Sequence, residues 1–245
     1  MGPFFDMHCH MLCGVDDGAT DRETMFAMLE AAYADGIRAI CLTPHYSPYL
    51  FGETFEQSEA AFFDLQDYVA EKHPDMYLFL GHELGYHGGC LPALEDGRCR
   101  TIAGSRYVLV DFPEKVNFFE LSNAMNQLRS MGFHTILAHT ERYRCLFQHF
   151  NWIREYVDEG GIVQINASSF DGAWGTIAKM QWKKLIKEDL VHIISTDAHN
   201  LTTRPPKMSV CMDYLRKHCD PETIEMLTWE NAWRVVEDQN LRGVV

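Results

Sequence analysis

The segment Phe4-Phe5-Asp6-Met7-His8-Cys9-His10, a short apolar run that ends in His-x-His, is the starting point for both the fold and the site. Side chains alternate between the two faces of a strand, so His8 and His10 should point to the same side. A glycine-bounded loop follows and carries Asp16 and Asp17, which add hard oxygen ligands within reach of the imidazoles. The segment predicts a metal-binding strand; the alternative is a surface strand with two incidental histidines.

The composition is that of a globular protein with a surplus of acidic side chains. Of 245 residues, 47% are hydrophobic and 23% charged, and the formal net charge is -14. This length suffices for one large core. The chain lacks the Lys/Arg run that a dedicated nucleic-acid binder carries, so we expect no nucleic-acid partner.

The eight cysteines predict free thiols rather than a disulfide framework. They are scattered, several lie in apolar segments such as 40–42, and no secretory signal precedes them. Without a CxxC pair, a thiolate zinc site is not expected. No segment approaches the length of a membrane span, so we expect a cytoplasmic protein that does not insert into membranes.

Apolar runs alternate with amphipathic segments, which predicts seven strand–helix units in one α/β domain over residues 1–245. The predicted strands are 4–10, 37–43, 76–80, 107–111, 135–139, 162–166 and 192–197. The predicted helices are 21–34, 53–73, 118–131, 147–159 and 175–188, with two or three more at the C-terminus.

Ligand-type side chains follow almost every predicted strand, and this repetition favours a barrel. A closed barrel brings the carboxyl ends of all its strands to one mouth, whereas an open sheet converges only the strands near a switch point. These residues are His8, His10, Asp17, His45, Glu83, Asp111, His139, Asp197 and His199.

Five imidazoles and four carboxylates exceed the needs of one ion and suit several divalent cations. The positive charge left over would hold hydroxide and an anionic substrate such as phosphate. Arg142 and Arg204 lie shortly after the fifth and seventh predicted strands, where guanidinium groups could clamp phosphate oxygens. The alternative for each arginine is a surface salt bridge.

The remaining histidines receive no role in this interpretation, although His87 lies near the predicted mouth and could touch substrate. The others are His73, His82, His134, His149, His192 and His218. Trp229 and Trp233, four residues apart, indicate core packing.

Three motifs carry a resemblance to a known family. They are Asp6-Met7-His8-Cys9-His10 with Gly14-Val15-Asp16-Asp17-Gly18, then Ala138-His139-Thr140-Glu141-Arg142-Tyr143, and Ser195-Thr196-Asp197-Ala198-His199-Asn200 with the following Leu-x-x-Arg-Pro-Pro. They resemble the PHP (polymerase and histidinol phosphatase) superfamily, and within it the CpsB/YwqE-type protein-tyrosine phosphatases of bacterial capsule and exopolysaccharide operons. The match runs from Asp6 to about Asn231.

The resemblance implies a distorted seven-stranded (β/α)7 TIM-like barrel, the PHP fold. It implies two or three divalent metal ions, manganese foremost and iron or zinc as alternatives, held by the nine residues above. Arg142 and Arg204 would bind phosphate. The chain departs from the family at Asp111, where glutamate is usual, and at Cys13, where proline is common.

The implied reaction is hydrolysis of phosphotyrosine on a protein by a metal-bridging hydroxide, with Arg142 and Arg204 holding the phosphoryl oxygens. The acid that protonates the leaving group is metal-bound water or His45. By resemblance the substrate is a bacterial tyrosine kinase; the oligomeric state stays open. The alternatives are a small-molecule phosphatase such as a histidinol phosphatase, a PHP-type nuclease, and a binding module without activity.

Overall fold

The computed structural model describes residues 2–52, 54–87 and 90–241. Every strand in this part of the chain runs parallel to its neighbours. The strands are β1 (Phe4–Cys9), β2 (Ile37–Leu42), β3 (His45–Tyr46), β4 (Tyr77–Leu80), β5 (Glu83–Gly85), β6 (Tyr107–Asp111), β7 (His134–Leu137), β8 (Ile162–Asn166) and β9 (Ile193–Ser195). The predicted α/β class with a parallel sheet is confirmed.

Helices fill the connections between strands, as predicted. The α-helices are α1 (Arg22–Asp35), α2 (Pro48–Phe51), α3 (Phe55–Lys72), α4 (Leu91–Glu95), α5 (Phe118–Ser130), α6 (Phe150–Asp158), α7 (Gly175–Lys187), α8 (Met212–His218), α9 (Pro221–Glu225) and α10 (Asn231–Val236). Short 3-10 helices cover Ile102–Gly104, Thr140–Arg142, Arg144–Gln148, Ala167–Asp171 and Ser209–Cys211, and Met226–Glu230 forms a π-helix. The predicted start of a helix at residue 53 lies outside the described residues. No described helix is long and apolar enough to cross a membrane.

The strands form two hydrogen-bonded groups, in the orders β1-β2-β4 and β3-β5-β6-β7-β8-β9. The sheet curls until its first strand meets the segment that follows its last. There the amide of His10 donates to the carbonyl of Ala198 at 2.8 Å, and the amide of Asp197 donates to the carbonyl of His8 at 2.8 Å. The carboxyl end of β1 and the residues after β9 therefore share one edge.

Two short strands, β3 and β5, were not predicted, and each follows the end of a predicted strand after a break of two residues. The strand predicted over 37–43 ends at Leu42 and resumes at His45, because Pro44 has no amide to donate. The strand predicted over 76–80 resumes at Glu83. The broken strands stay side by side, since the amide of Glu83 donates to the carbonyl of Pro44 at 3.1 Å. Each break starts a new short strand whose first residue is a candidate ligand.

The core has two apolar layers, one between the strands and the outer helices and one enclosed by the strands. Phe5 and Met7 belong to the enclosed layer, whereas Cys9 belongs to the outer one. This change of side coincides with a register shift between Asp6 and Cys9 in the pairing of β1 with β2. Trp229 and Trp233 stack on one another with ring centroids 5.6 Å apart and both contact Phe5, so they pack in the core as expected.

Candidate active site

The nine predicted ligand residues lie together at the carboxyl edge of the sheet, because parallel strands deliver their ends to the same side. They arrive from β1, β3, β5 and β6 and from the loops after β1, β7 and β9. Their ligand atoms form four overlapping groups, and within each group all of these atoms lie within 4.8 Å of one another. The groups are His10, Asp17, His45 and His199; His8, His10 and Asp197; His8, Glu83 and His139; and His45, Glu83 and Asp111.

Glu83 is the centre of this cluster and is fully buried. Its two carboxylate oxygens face four imidazoles. The nearest nitrogens are Nε2 of His8 at 3.2 Å, Nε2 of His10 at 3.2 Å, Nδ1 of His45 at 2.9 Å and Nε2 of His139 at 3.1 Å. Such convergence of nitrogen and carboxylate donors on one point is the donor set that divalent transition metals prefer.

Two further contacts show that the cluster fits cations. Nε2 of His8 and Nε2 of His10 face each other at 3.2 Å, as ring nitrogens do when they bind a common ion. The buried atoms Oδ1 of Asp197 and Nε2 of His199 have no hydrogen-bond partner among the described residues. A buried polar atom left without a partner is costly, and a bound cation would remove that cost.

Hydrogen bonds to one ring nitrogen of each imidazole determine which other nitrogen faces the ligand cluster. Nδ1 of His10 lies 2.7 Å from Oδ2 of Asp16, and Nδ1 of His8 lies 3.2 Å from Oε1 of Gln164. Nδ1 of His199 contacts the carbonyl of Asp197 at 3.0 Å. Each partner accepts the Nδ1 proton and leaves Nε2 free to act as a ligand.

The two adjacent aspartates of the first loop have different surroundings. Asp16 is buried beneath His10 and also accepts the amides of Gly18 at 2.9 Å and His45 at 2.9 Å. Asp17 is half-exposed and lies 3.5 Å from both His45 and His199. Asp16 therefore supports the ligands, while Asp17 stands among them.

Strand β8 supplies support that the sequence analysis missed. Oε1 of Gln164 accepts from the amide of His139 at 2.8 Å, in addition to its contact with His8. The Gln164 amide donates to Asn166 at 3.0 Å, and the Asn166 amide donates to Oδ2 of Asp197 at 2.8 Å. Two amides at alternate positions of an otherwise apolar strand were the available signal.

The charged groups of the cluster shift one another's pKa values. Although burial alone would raise it, the charges of His8 and His45 hold the pKa of Glu83 well below its usual range. Burial also opposes the charged form of these two histidines, yet Glu83 raises the pKa of His8 to about 9 and that of His45 to about 10. Burial, and then the charge of Glu83, raise the pKa of Asp111. Protonated imidazoles thus hold the buried carboxylate in the way that cations could.

Arg142 and Arg204 both reach the cluster from its rim. Nη1 of Arg142 lies 3.0 Å from Oδ2 of Asp197, and Nη2 of Arg204 lies 2.6 Å from the same oxygen. Both arginines thus form their salt bridges with a buried residue of the cluster rather than with a surface partner. Asp197 and His139 have positive φ angles of 53° and 32°, and such backbone strain in non-glycine residues is concentrated at functional sites.

Tyr143 supports the carboxylate of Asp111, and Glu141 supports the turn after β7. The hydroxyl of Tyr143 donates to Oδ1 of Asp111 at 3.0 Å. The buried Glu141 accepts the amide of Asn166 at 2.9 Å and the hydroxyl of Ser169 at 2.5 Å. Both residues belong to the His-x-Glu-Arg-Tyr motif, whose third and fifth side chains are thus structural.

Histidines that were given no role lie outside the cluster. Nδ1 of His82 accepts the amide of Arg100 at 2.8 Å, and Nδ1 of His192 accepts the amide of Val163 at 3.1 Å. His87 packs edge-on against the exposed ring of Tyr49, with centroids 5.1 Å apart.

Helix α2, which follows β3, ends beside the cluster. Phe51 stacks parallel to the imidazole of His45 with centroids 5.6 Å apart. This places an apolar ring beside the most accessible of the clustered histidines.

Comparison with known proteins agrees with this geometry. The model of the family described as capsular polysaccharide synthesis, CpsB/CapC, matches residues 4–237. The tyrosine-protein phosphatase CpsB of Streptococcus pneumoniae is 29% identical, over 96% of this chain and 98% of that protein. The tyrosine-protein phosphatase YwqE of Bacillus subtilis (strain 168) is 27% identical, over 96% of this chain and 92% of that protein.

Solved structures also resemble this chain over most of its length. Crystal structures of YwqE from Bacillus subtilis and CpsB from Streptococcus pneumoniae, described as unique metal-dependent tyrosine phosphatases, match with a TM-score of 0.86 at 25% identity, over 97% of this chain and 96% of that chain. The histidinol phosphate phosphatase of Lactococcus lactis matches with a TM-score of 0.59 at 13% identity, over 89% of this chain and 94% of that chain. The second match shows a shared fold only.

Proposed function

Because the chain belongs to the CpsB/CapC family of capsular polysaccharide synthesis proteins, we propose that it is a metal-dependent protein-tyrosine phosphatase. The observation that carries this proposal is the pairing of two arginines with a clustered set of nine His, Asp and Glu side chains. Relatives of nearly the same length are tyrosine-protein phosphatases by name.

The proposed ligands are the nine clustered residues, and they would hold two or three divalent ions, with manganese as the first candidate. When bound, these ions would supply Lewis acidity and lower the pKa of the water that attacks phosphorus. Asp16 and Gln164 keep the ligand nitrogens of His10 and His8 turned inward. The buried position of Glu83 excludes water from the centre, which strengthens every charge interaction there.

The protein's own groups carry the rest of the reaction. Arg142 and Arg204 would exchange part of their contact with Asp197 for the phosphoryl oxygens, and would stabilise the charge that develops on them. The phosphorus–oxygen bond to the phenol breaks as the bond to water forms. The candidate donors of the proton to the leaving phenolate are a water held by the ions, if His45 serves as a ligand, and His45 itself, whose side chain is 18% exposed, if it does not.

Several finer points belong to the same proposal. We infer one PHP-type domain over residues 1–245, in which β2 with β3 and β4 with β5 act as single strands of a distorted seven-stranded barrel. The hydrogen bonds between the end of β1 and the segment after β9 support this inference. We further propose a cytoplasmic protein whose substrate is a phosphotyrosine protein such as a bacterial tyrosine kinase, as the capsule context of the family suggests.

The test is hydrolysis by the manganese-loaded protein of a phosphotyrosine peptide, of histidinol phosphate and of single-stranded DNA. We expect turnover of the peptide that EDTA abolishes and manganese restores. Arg142→Ala and Arg204→Ala should each lower kcat/KM roughly 100-fold, whereas exposed Arg216→Ala on α8 should not. Turnover of histidinol phosphate or DNA in place of the peptide, or absence of manganese rescue, would overturn the proposal.

A further inference from the structure

The ring face of the Trp174 indole lies against one of the two site arginines. Cζ of Arg142 is 3.8 Å from the centroid of the Trp174 ring, and Cζ of Arg204 is 5.9 Å from it. The indole is itself held, because its Nε1 donates to the hydroxyl of Ser168 at 3.2 Å. A guanidinium stacked this closely on an indole is attracted by the π face and restricted in the orientation of its plane.

Arg142 needs such a restraint because two positions are open to its guanidinium group. On one side it shares a single oxygen of Asp197 with Arg204, so two positive groups crowd one acceptor. On the other side lies a small cavity of about 140 Å³, which leaves room for the guanidinium to turn away; Glu114, which lines part of it, pairs with Arg144 at 3.7 Å. The Arg142 side chain is 25% exposed and long, so charge alone does not decide between these positions.

The chain builds this contact from the loop after β8, a strand that supplies none of the nine clustered residues. A 3-10 helix follows β8 over Ala167–Asp171, and Gly172 and Gly175 flank the tryptophan with positive φ angles of 92° and 78°. These left-handed positions suit glycine and turn the chain sharply before α7 begins. Trp174 thereby reaches the mouth of the cluster although it is distant in sequence from every predicted ligand.

We propose that Trp174 is a positioning residue that sets the guanidinium of Arg142 for the phosphoryl oxygens of the substrate. The inference rests on the proposed function, because it assigns Arg142 to a phosphate group. Trp174 acts through Arg142, so its loss should weaken the binding of phosphoryl groups without removing metal ions.

The test measures the affinity of the manganese-loaded protein for inorganic phosphate, by calorimetry, in four forms of the chain. Trp174→Leu keeps apolar bulk but removes the π face, and Trp174→Phe retains a π face. Met180→Ala, at an exposed position on α7, is the matched control. We expect Trp174→Leu to weaken phosphate binding about 3- to 30-fold, Trp174→Phe to recover most of that loss, and Met180→Ala to match the wild type.

Two additional readouts separate positioning from general damage. KM for a phosphotyrosine peptide should rise in Trp174→Leu more than kcat falls, at unchanged manganese content. The tryptophan emission of the wild type should change on addition of phosphate, and that change should be absent in Trp174→Phe. The comparison of tryptophan emission between the wild type and Trp174→Phe also tests the inference if Trp174→Leu does not fold.

Equal phosphate affinity in folded Trp174→Leu and wild type, or an emission change that persists in Trp174→Phe, would overturn the inference. Phosphate binding does not require turnover. A wild type that binds phosphate through Trp174 but leaves phosphotyrosine peptide intact would therefore refute the proposed function and not this inference.

Discussion

Nδ1 of His10 lies 2.7 Å from Oδ2 of Asp16, and the same carboxylate accepts the backbone amide of His45. One buried aspartate therefore orients a candidate ligand from the first strand and the start of another strand. Burial would raise its pKa, but the charge of His10 and its hydrogen bond hold the pKa of Asp16 below the usual range, so it stays an acceptor.

This relationship predicts that Asp16→Ala weakens manganese binding about 10- to 100-fold, the usual cost of losing a partner behind a ligand. Asp16→Asn should cost less because its amide oxygen can still accept from Nδ1. Asp67→Ala, on the exposed face of α3, is the control. Calorimetric titration with manganese measures the effect, and equal affinities in Asp16→Ala and the control would contradict the assigned role.

His8→Ala and His10→Ala should each lower both metal content and phosphatase turnover at least tenfold, because each histidine belongs to two of the ligand groups. Elemental analysis and a phosphotyrosine assay on the same preparations check this. His218→Ala, at an exposed position of α8, should leave both values unchanged. Full metal content in either site variant would refute the ligand assignment.

Manganese binding should release protons near neutral pH. The pKa values of His8, about 9, and His45, about 10, lie above 7 in the metal-free protein, so both imidazoles carry a proton there. A metal ion needs the neutral form, so apparent affinity should rise as pH increases from about 6 to 9. Titration in two buffers with different ionisation enthalpies gives the number of protons, and a value of zero would count against the prediction.

Asp111→Asn should have opposite effects on stability and on metal binding. It removes a negative charge near Glu83, so the metal-free protein should melt roughly 2–4 °C higher, as about 1 kcal/mol gives in a domain of this size. It also removes an anionic oxygen from the group with His45 and Glu83, so manganese affinity should fall. Melting curves in EDTA and metal titrations measure the two effects. Asp111→Glu, which keeps the charge, should retain affinity; a fall in both quantities for Asp111→Asn would contradict this account.

Gly18→Ala should destabilise the first loop by at least about 1–3 kcal/mol, because the added Cβ would lie 1.9 Å from the backbone oxygen of His10. Thermal unfolding of the metal-free protein measures the change without interference from ligand loss. Gly85→Ala, whose Cβ would meet its nearest neighbour at an ordinary 3.5 Å, is the matched control. Equal melting temperatures would show that the loop can yield at this point.

The strands and the cluster were predictable because almost every apolar run ends in a residue type that rarely follows a strand by chance. His8, Glu83 and Asp197 could be grouped from sequence alone, since parallel strands deliver their ends to one edge. The short strands β3 and β5 were missed because apolar content does not reveal where backbone pairing resumes after a break.

The supporting residues were harder to foresee. Gln164, Asn166 and Trp174 belong to residue types that serve many structural purposes, and their partners are up to 156 residues away in the chain. Sequence spacing constrains neighbours along a strand or helix, but not which distant side chain an amide or an indole will meet.

His8, His10, His45 and Glu83 each appear in two of the four ligand groups. Under the proposed ligand set, the ions therefore cannot load or leave as independent events. Titration of the empty protein should then depart from the curve for independent sites, because the binding of one ion changes the affinity for the next.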